Sequence, residues 1–207
     1  MKKVLVRLAG SLTVVLGFWV VISLPLVLGE SSAAEIGERA IGDADAPVTI
    51  IEYSSLTCPH CASFHNEILP DLKERYVETG KVRMIFRDFP LNEPAVDAAV
   101  LAHCAGDDRY IGFLDVLFQT QASWASSPDP RAALKQLGKL GGLSDSEMDA
   151  CFVDESLVDG VLQSRLTGQN EHKVQSTPTF VINGETYAGS RSIDDFAEII
   201  DPLLGGS

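Results

Sequence analysis

The 207-residue sequence predicts an α/β domain in which a helical insertion separates a βαβ unit from a ββα unit. Two β-rich segments flank a helical pattern before residue 90, and a long stretch without β-rich segments follows. An Asn-Gly hairpin signal then precedes one last helix. The apolar content of 45% and the charged content of 22% are ordinary for a folded domain with its own core.

Residues 1–34 have the pattern of an export signal. Basic residues at positions 2, 3 and 7 precede the uncharged stretch 8–28, and small residues suit cleavage after Ala34. The uncharged stretch is also long enough to remain as a membrane anchor. In either case the basic start places the predicted domain, residues 35–207, outside the cytoplasm, and we expect a periplasmic location.

The first half of this domain is predicted to be a βαβ unit. Residues 35–47 are expected to form an approach loop, and the β-branched segment 48–53 predicts a buried strand. Apolar residues recur with helical spacing from Pro59 to about residue 78, and 82–87 predicts the next strand. Because a helix connects the two strands, they should be parallel. Pro70 should kink the helix or end its first half.

The middle of the chain, about 94–170, is predicted to be entirely helical. Helices are expected at 95–105, 110–121, 131–140, 144–151 and 155–167, the fourth introduced by a capping box that begins at Ser144. Trp124 and the apolar residues Phe113, Leu114, Leu117 and Phe118 are expected to form the core of this insertion.

The end of the chain predicts the ββα unit. Residues 179–182 form a strand, Asn183-Gly184 is a two-residue hairpin signal, and 185–187 form the return strand. Ser192 then caps a helix that runs to about residue 204. This order of elements is that of a thioredoxin fold split by a helical insertion. The net charge of −13 argues against nucleic acid as a partner, since phosphate binding needs clustered Lys and Arg.

The stretch Cys58-Pro59-His60-Cys61 carries the predicted chemistry. Pro59 suits the first position of a helix, which places Cys58 where unpaired N–H groups and the helix dipole stabilise a thiolate. Cys61, one turn further on, is better placed to be the resolving thiol, and His60 adds a donor or a positive charge. A stabilised thiolate favours the reduced form and makes the disulfide a stronger oxidant. Half of a zinc site is the alternative, but no second Cys pair or closely spaced His pair completes it.

Three pairings of the four cysteines are possible. With Cys58 and Cys61 as a local pair, Cys104 and Cys151 remain for a structural disulfide within the insertion. Two buried free thiols are the alternative. Thr177-Pro178, just before a predicted strand, is either an ordinary strand-start proline or a cis-proline that faces the Cys58–Cys61 helix.

Three segments resemble bacterial periplasmic dithiol oxidases of the DsbA type: 52–61, 87–91 and 177–180. The resemblance covers the whole chain after the leader. It implies that Cys58 exchanges disulfides with substrate, Cys61 resolves, His60 tunes Cys58, and Thr177-Pro178 guides the substrate chain.

The resemblance also implies a role for Glu52, as a buried acid that carries the proton of Cys61; a surface position at a strand edge is the alternative. His65, His103 and His172 are assigned no role.

The function predicted from these features is a monomeric thiol-disulfide oxidoreductase that donates disulfides to reduced, extended exported proteins and needs no cofactor. The resemblance implies reoxidation by a DsbB-like, quinone-linked membrane protein. A disulfide isomerase or reductase of the same fold, and a redox-inactive protein that binds peptides, are the alternative functions.

Overall fold

A five-stranded mixed sheet forms the centre of the computed structural model, which describes residues 36–205. Its strands are β1 (Arg39–Ile41), β2 (Val48–Ser54), β3 (Val82–Asp88), β4 (Thr179–Ile182) and β5 (Glu185–Ala188), in the spatial order β1-β3-β2-β4-β5. Strands β2 and β3 are parallel, as predicted for a βαβ unit, and the other neighbours are antiparallel. The thioredoxin fold predicted from the sequence is confirmed.

The predicted signal or anchor, residues 1–34 with the uncharged stretch 8–28, lies outside the described residues. Within 36–205, none of the helices combines the length and the apolar character that crossing a membrane requires.

Strand β1 corrects the prediction of an approach loop over 35–47. Its three residues are too few to show the alternation from which a strand is recognised, and pairing with β3, from Arg39 opposite Phe86 to Ile41 opposite Met84, stabilises them. Arg39 also reaches the helical insertion, where it donates to His103 Nδ1 (3.4 Å) and forms an ion pair with Asp107. Contacts distant in sequence therefore define this strand.

Helix α1 (59–77) connects β2 to β3 and contains two wide turns. The α-helical pieces Pro59–Ser63 and Leu69–Leu72 alternate with the π-helical pieces Phe64–Ile68 and Lys73–Val77. The helix therefore continues through Pro70. Of the two outcomes predicted there, the end of the first half is not found, and the kink stays a prediction. Pro70 has no N–H for an intrahelical hydrogen bond, and the π-helical turn before it accommodates the missing bond.

The insertion consists of six helices. They are α2 (Glu93–Cys104), α3 (Asp107–Gln119), α4 (Gln121–Ala125), α5 (Pro130–Leu140), α6 (Asp145–Phe152) and α7 (Glu155–Glu171). The capping box at Ser144 and the burial of the predicted insertion core are confirmed. The helix predicted over 110–121 is present as α3 with different bounds, because α3 starts earlier and ends at Gln119, and a separate short helix follows. That short helix places Trp124 so that its Nε1–H donates to Leu117 O (2.8 Å).

The last unit is a hairpin followed by a helix, as predicted. Asn183 and Gly184 both have positive φ, 45° and 93°, which is the conformation that a tight two-residue hairpin turn requires. Helix α8 (Ile193–Leu204) begins at a capping box formed by Ser192 and Asp195. Its buried residues Phe196 and Ile200 join the main core, together with the apolar face of α1.

Alternation along β2 places one acidic side chain beneath α1. Val48 and Ile50 are fully buried in the main core, and Glu52 follows on the same face of the strand because side chains alternate with a period of two. Tyr53 points to the opposite face, where it packs with Phe89 and Val181. Glu52 therefore lies inside the core and not at a strand edge.

Candidate active site

The stretch 58–61 lies at the junction of β2 and α1. Cys58 is the N-cap of α1 with extended backbone angles (φ −84°, ψ 119°), and Pro59 occupies the first helical position. The Cys58 carbonyl accepts hydrogen bonds from the N–H groups of Cys61 and Ala62, both at 3.1 Å. The predicted placement of the cysteine pair at a helix N-terminus is thereby found in the structure.

Both cysteines are free thiols, and they differ in exposure. Cys58 is 7% exposed and Cys61 is fully buried, whereas Pro59 and His60 are exposed to solvent. A partner can therefore reach the sulfur of Cys58, with Pro59 and His60 beside it, before it can reach Cys61.

Thr177 lies directly against Cys58, although 119 positions of sequence separate the two residues. The Cys58 thiol donates to the backbone carbonyl of Thr177, with 3.3 Å between sulfur and oxygen. The peptide bond between Thr177 and Pro178 is cis, one of the two conformations that the sequence left open. The oxygen of the Thr177 side chain is buried and has no hydrogen-bond partner among residues 36–205.

The surroundings of Cys58 lower its pKa from about 9 to about 5. The largest cause is a hydrogen bond from the Cys61 thiol to the Cys58 sulfur, and burial opposes it. The Thr177 side chain, whose hydroxyl can donate to the sulfur once Cys58 is ionised, and the backbone N–H groups of Cys61 and His60 lower the pKa further. Donors at a helix start favour the thiolate because it gains hydrogen bonds that the thiol does not need.

Cys61 has the opposite shift. Burial raises its pKa well above the ordinary range, the hydrogen bond to Cys58 raises it as well, and the charge of Glu52 adds to the effect. The pair therefore holds one proton, which stays on Cys61 while Cys58 carries the negative charge.

Glu52 and His65 form a buried pair on the inner side of this site. His65 Nε2 lies 3.2 Å from Glu52 Oε1 and 3.0 Å from Glu52 Oε2, and the two side chains are 1% and 0% exposed. The burial expected of Glu52 is found, and His65, to which the sequence assigned no role, contacts it. Its position four residues after Cys61, one helical turn along α1, is the sequence signal that could have identified it.

Gln121 is a second residue of the site that the sequence did not indicate. Its Nε2 donates to the carbonyls of Leu56 and Cys58, at 2.9 and 3.0 Å, and the side chain is buried. Gln121 is the first residue of α4, where the predicted helix is interrupted. The interruption therefore brings an amide from the insertion to the active-site turn.

Cys104 and Cys151 do not join this site. They form a disulfide between the last residue of α2 and the last turn of α6, with Cα atoms 6.0 Å apart. Both residues belong to the insertion, and the bond closes a loop across 47 positions of sequence.

Comparison with known proteins identifies the family. A family model described as thioredoxin matches residues 34–202. The crystal structure of alpha-DsbA1 from Wolbachia pipientis is 31% identical and superposes with a TM-score of 0.76, over 82% of this chain and 92% of that one. The chain belongs to the DsbA-like thioredoxin family.

Two sequence relatives of this DsbA-like chain have names that refer to disulfide chemistry. A protein of Rickettsia felis, assigned by name to the protein-disulfide oxidoreductases, is 33% identical over 168 residues. The match covers 81% of this chain and 60% of the relative, so the chain spans about three fifths of that protein. The disulfide bond formation protein D of Bacillus anthracis is 32% identical over 184 residues, covering 85% of this chain and 82% of the relative.

Proposed function

We propose that this protein is a thiol-disulfide oxidoreductase that acts as a dithiol oxidase, donating the Cys58–Cys61 disulfide to exported proteins. The observation that carries the proposal is the position of Cys58 at the N-cap of α1 beside a fully buried Cys61, an arrangement that lowers the pKa of Cys58 to about 5. At neutral pH the reduced form gains the stability of a hydrogen-bonded thiolate. A disulfide whose reduced form is stabilised in this way accepts electrons readily.

The proposed reaction proceeds through a mixed disulfide. A substrate thiolate attacks the Cys58 sulfur, the Cys58–Cys61 bond breaks, and the Cys61 sulfur takes up a proton because it is buried. A second substrate thiol loses its proton and attacks the substrate sulfur of the mixed disulfide, which releases Cys58 as a thiolate. Two electrons pass from the substrate to the protein, and the substrate leaves with a disulfide.

The two ends of the site have different proposed roles. Thr177-Pro178 lies against the sulfur that forms the mixed disulfide and is proposed to guide an extended, reduced substrate chain. The electrons are proposed to leave through a DsbB-like, quinone-linked membrane protein that reoxidises Cys58 and Cys61. A monomer exported by residues 1–34, cleaved or retained as an anchor, is the form in which we expect the protein to work.

Redox equilibrium with glutathione tests the direction of the reaction. We expect the Cys58–Cys61 disulfide to be reduced at glutathione ratios that leave ordinary structural disulfides intact, because only the reduced form contains the stabilised thiolate. A Cys61→Ser variant should accumulate a mixed disulfide when its Cys58 thiolate attacks the disulfide of an oxidised peptide, since the Cys61 thiol that would attack Cys58 and release the peptide is absent. The Cys104→Ala/Cys151→Ala variant is the control, because only the reactive pair can then titrate. If the Cys58–Cys61 disulfide is instead as hard to reduce as a structural disulfide, the protein is a reductase. If the pair does not exchange with glutathione at all, the remaining function is that of a redox-inactive protein that binds peptides.

Replacing His60 should raise the pKa of Cys58. His60 is exposed beside the sulfur, where its side chain can supply a donor or a positive charge to the thiolate. The pKa of Cys58 in His60→Ala is read from the ultraviolet absorbance of the thiolate as a function of pH, with Cys58→Ala as the blank. An unchanged pKa would limit His60 to its backbone N–H, which already contributes to the low value.

A further inference from the structure

The carboxylate of Glu52 depends on a single side chain for its hydrogen bonds. Its strand neighbours in the sheet are Phe86 on β3 and Phe180 on β4, which offer no side-chain donor. Within residues 36–205, His65 is the one side chain that hydrogen-bonds to it. A fully buried carboxylate without a donor takes up a proton, so the imidazole controls whether Glu52 can carry a charge.

Packing fixes the imidazole of His65 in the position of a donor. Its ring stacks on Phe118 of α3, with centroids 4.0 Å apart and an interplanar angle of 23°. Nδ1 is buried and has no hydrogen-bond partner in the described part of the chain. A proton on Nδ1 would be a buried, unpaired N–H, which is unfavourable, so the neutral ring carries its proton on Nε2. That proton is donated to Glu52.

Three short steps connect His65 to the reactive sulfur. His65 contacts Glu52, the charge of Glu52 contributes to the raised pKa of Cys61, and the Cys61 thiol donates the hydrogen bond that contributes most to the low pKa of Cys58. His65 and Cys61 are one turn apart on α1, so both face the same region of β2. The imidazole therefore acts on the sulfurs through another group and not by touching them.

We propose that His65 is the positioning residue for Glu52: by donating its Nε2–H it keeps the buried carboxylate ionised and able to accept the proton of Cys61 when the disulfide closes. The inference rests on the proposed function, because it assigns a residue to the reoxidation half of that cycle. In this step Cys58 is joined to the sulfur of an acceptor. The Cys61 proton moves to Glu52, the Cys61 sulfur attacks Cys58, and the acceptor sulfur leaves as a thiolate.

The charge of Glu52 affects two other ionisable groups among the described residues. It contributes to the raised pKa of Cys61 and to that of Tyr110 of α3, although burial is the larger cause in both. On the outer side, His65 lines a cleft of about 700 Å³ between α1 and α3. The charged residues that line this cleft are Lys73, Glu74, Glu78 and Asp115. These cleft residues are unchanged in every variant described below.

The test is the rate at which Cys61 resolves a mixed disulfide between Cys58 and glutathione. Reduced protein is mixed with oxidised glutathione at pH values from 5 to 9, a range that includes the ordinary pKa of a cysteine thiol. Each reaction is quenched with acid, and the amount of mixed disulfide is measured by mass spectrometry. In His65→Leu we expect this internal step to be slowed by about tenfold or more at neutral pH, because the carboxylate loses a charge-assisted hydrogen bond and becomes protonated. The rate in His65→Leu should recover as the pH rises, so that its curve of rate against pH lies at higher pH than that of the wild type.

A neutral Glu52 has two opposing effects on the rate at which Cys61 resolves the mixed disulfide, and their balance decides whether His65→Leu is slower or faster than the wild type. A neutral Glu52 no longer repels the thiolate of Cys61, which favours faster resolution. Burial, however, raises the pKa of Cys61 more than Glu52 does, so the thiol still needs an acceptor for its proton. The lost acceptor is therefore expected to outweigh the lost repulsion.

Matched variants separate this role from packing. His65→Gln keeps an N–H donor without an imidazole and should stay within about threefold of the wild type. In the Glu52→Gln background, His65→Leu should have no further effect on the internal step. An unshifted profile in His65→Leu, no rescue by His65→Gln, or an equal slowing in the Glu52→Gln background would overturn the inference. A reducing equilibrium of the wild type would overturn the proposed function and leave this comparison of rates intact.

Discussion

The reduced protein is expected to unfold at a higher temperature than the oxidised protein at neutral pH. The folded reduced form holds Cys58 as a thiolate with a pKa of about 5, whereas the unfolded chain returns it to about 9. A group with a lowered pKa stabilises the folded state fully above its unfolded pKa, and this contribution is lost as the pH falls through the folded value. Allowing for screening by solvent, we expect about 1–2 kcal/mol at pH 7.

The pH dependence of this difference is the decisive measurement. Melting temperatures of both forms are compared at intervals from pH 8 down to pH 4, and the advantage of the reduced form should disappear as the pH falls through about 5. Reductant can also open the bond between Cys104 and Cys151, so Cys58→Ala in the same reductant is the control. A difference that does not change with pH, or a more stable oxidised form, would contradict the role of the thiolate.

Removing the second disulfide should cost about 4 kcal/mol of unfolding free energy, since the bond closes a loop across 47 positions. The bond joins α2 to α6 and restricts the unfolded chain, which would otherwise gain the entropy of that loop. The loss is measured by urea unfolding of Cys104→Ala/Cys151→Ala against the oxidised wild type.

The reactive pair should not respond to this change. Both cysteines of the second disulfide lie in the insertion and outside the hydrogen bonds of the 58–61 turn, so the equilibrium of Cys58 and Cys61 with glutathione should stay within about twofold. The single variant Cys104→Ala should lose as much stability as the double variant. A loss below about 1 kcal/mol would mean that packing between α2 and α6 already restricts the chain.

Local sequence signals were sufficient for most of the fold. Period-two and helical patterns identified β2, β3, β4 and most helices, and the Asn183-Gly184 pair identified the last hairpin. Strand β1 was not predicted because three residues show no period, and its pairing partner Phe86 lies 47 positions away. The π-helical turns around Pro70 were not predicted either, because they follow from how α1 packs and not from a residue pattern.

The candidate site was predictable where its chemistry is local and not where it depends on contacts between distant segments. Cys58 and Cys61 could be recognised from their spacing, and Glu52 only through the resemblance to a family. His65 has an ordinary helical context, and only the folded structure shows its ring against the Glu52 carboxylate. Gln121 lies 63 positions from Cys58, and nothing in its neighbouring residues indicates the carbonyls that it contacts.

The two hydrogen bonds of Gln121 make the insertion part of the reactive turn. One amide group holds the carbonyls of Leu56 and Cys58, on either side of Thr57, so the loop cannot open without breaking contacts with α4. If the insertion moved away, the Leu56 carbonyl would lose this hydrogen bond in a buried setting, and the Cys58 carbonyl would keep only those from Cys61 and Ala62. The helical insertion thus fixes the loop that carries the reactive thiol. A shortened protein without the insertion would lack these hydrogen bonds, and its active-site loop would be more mobile.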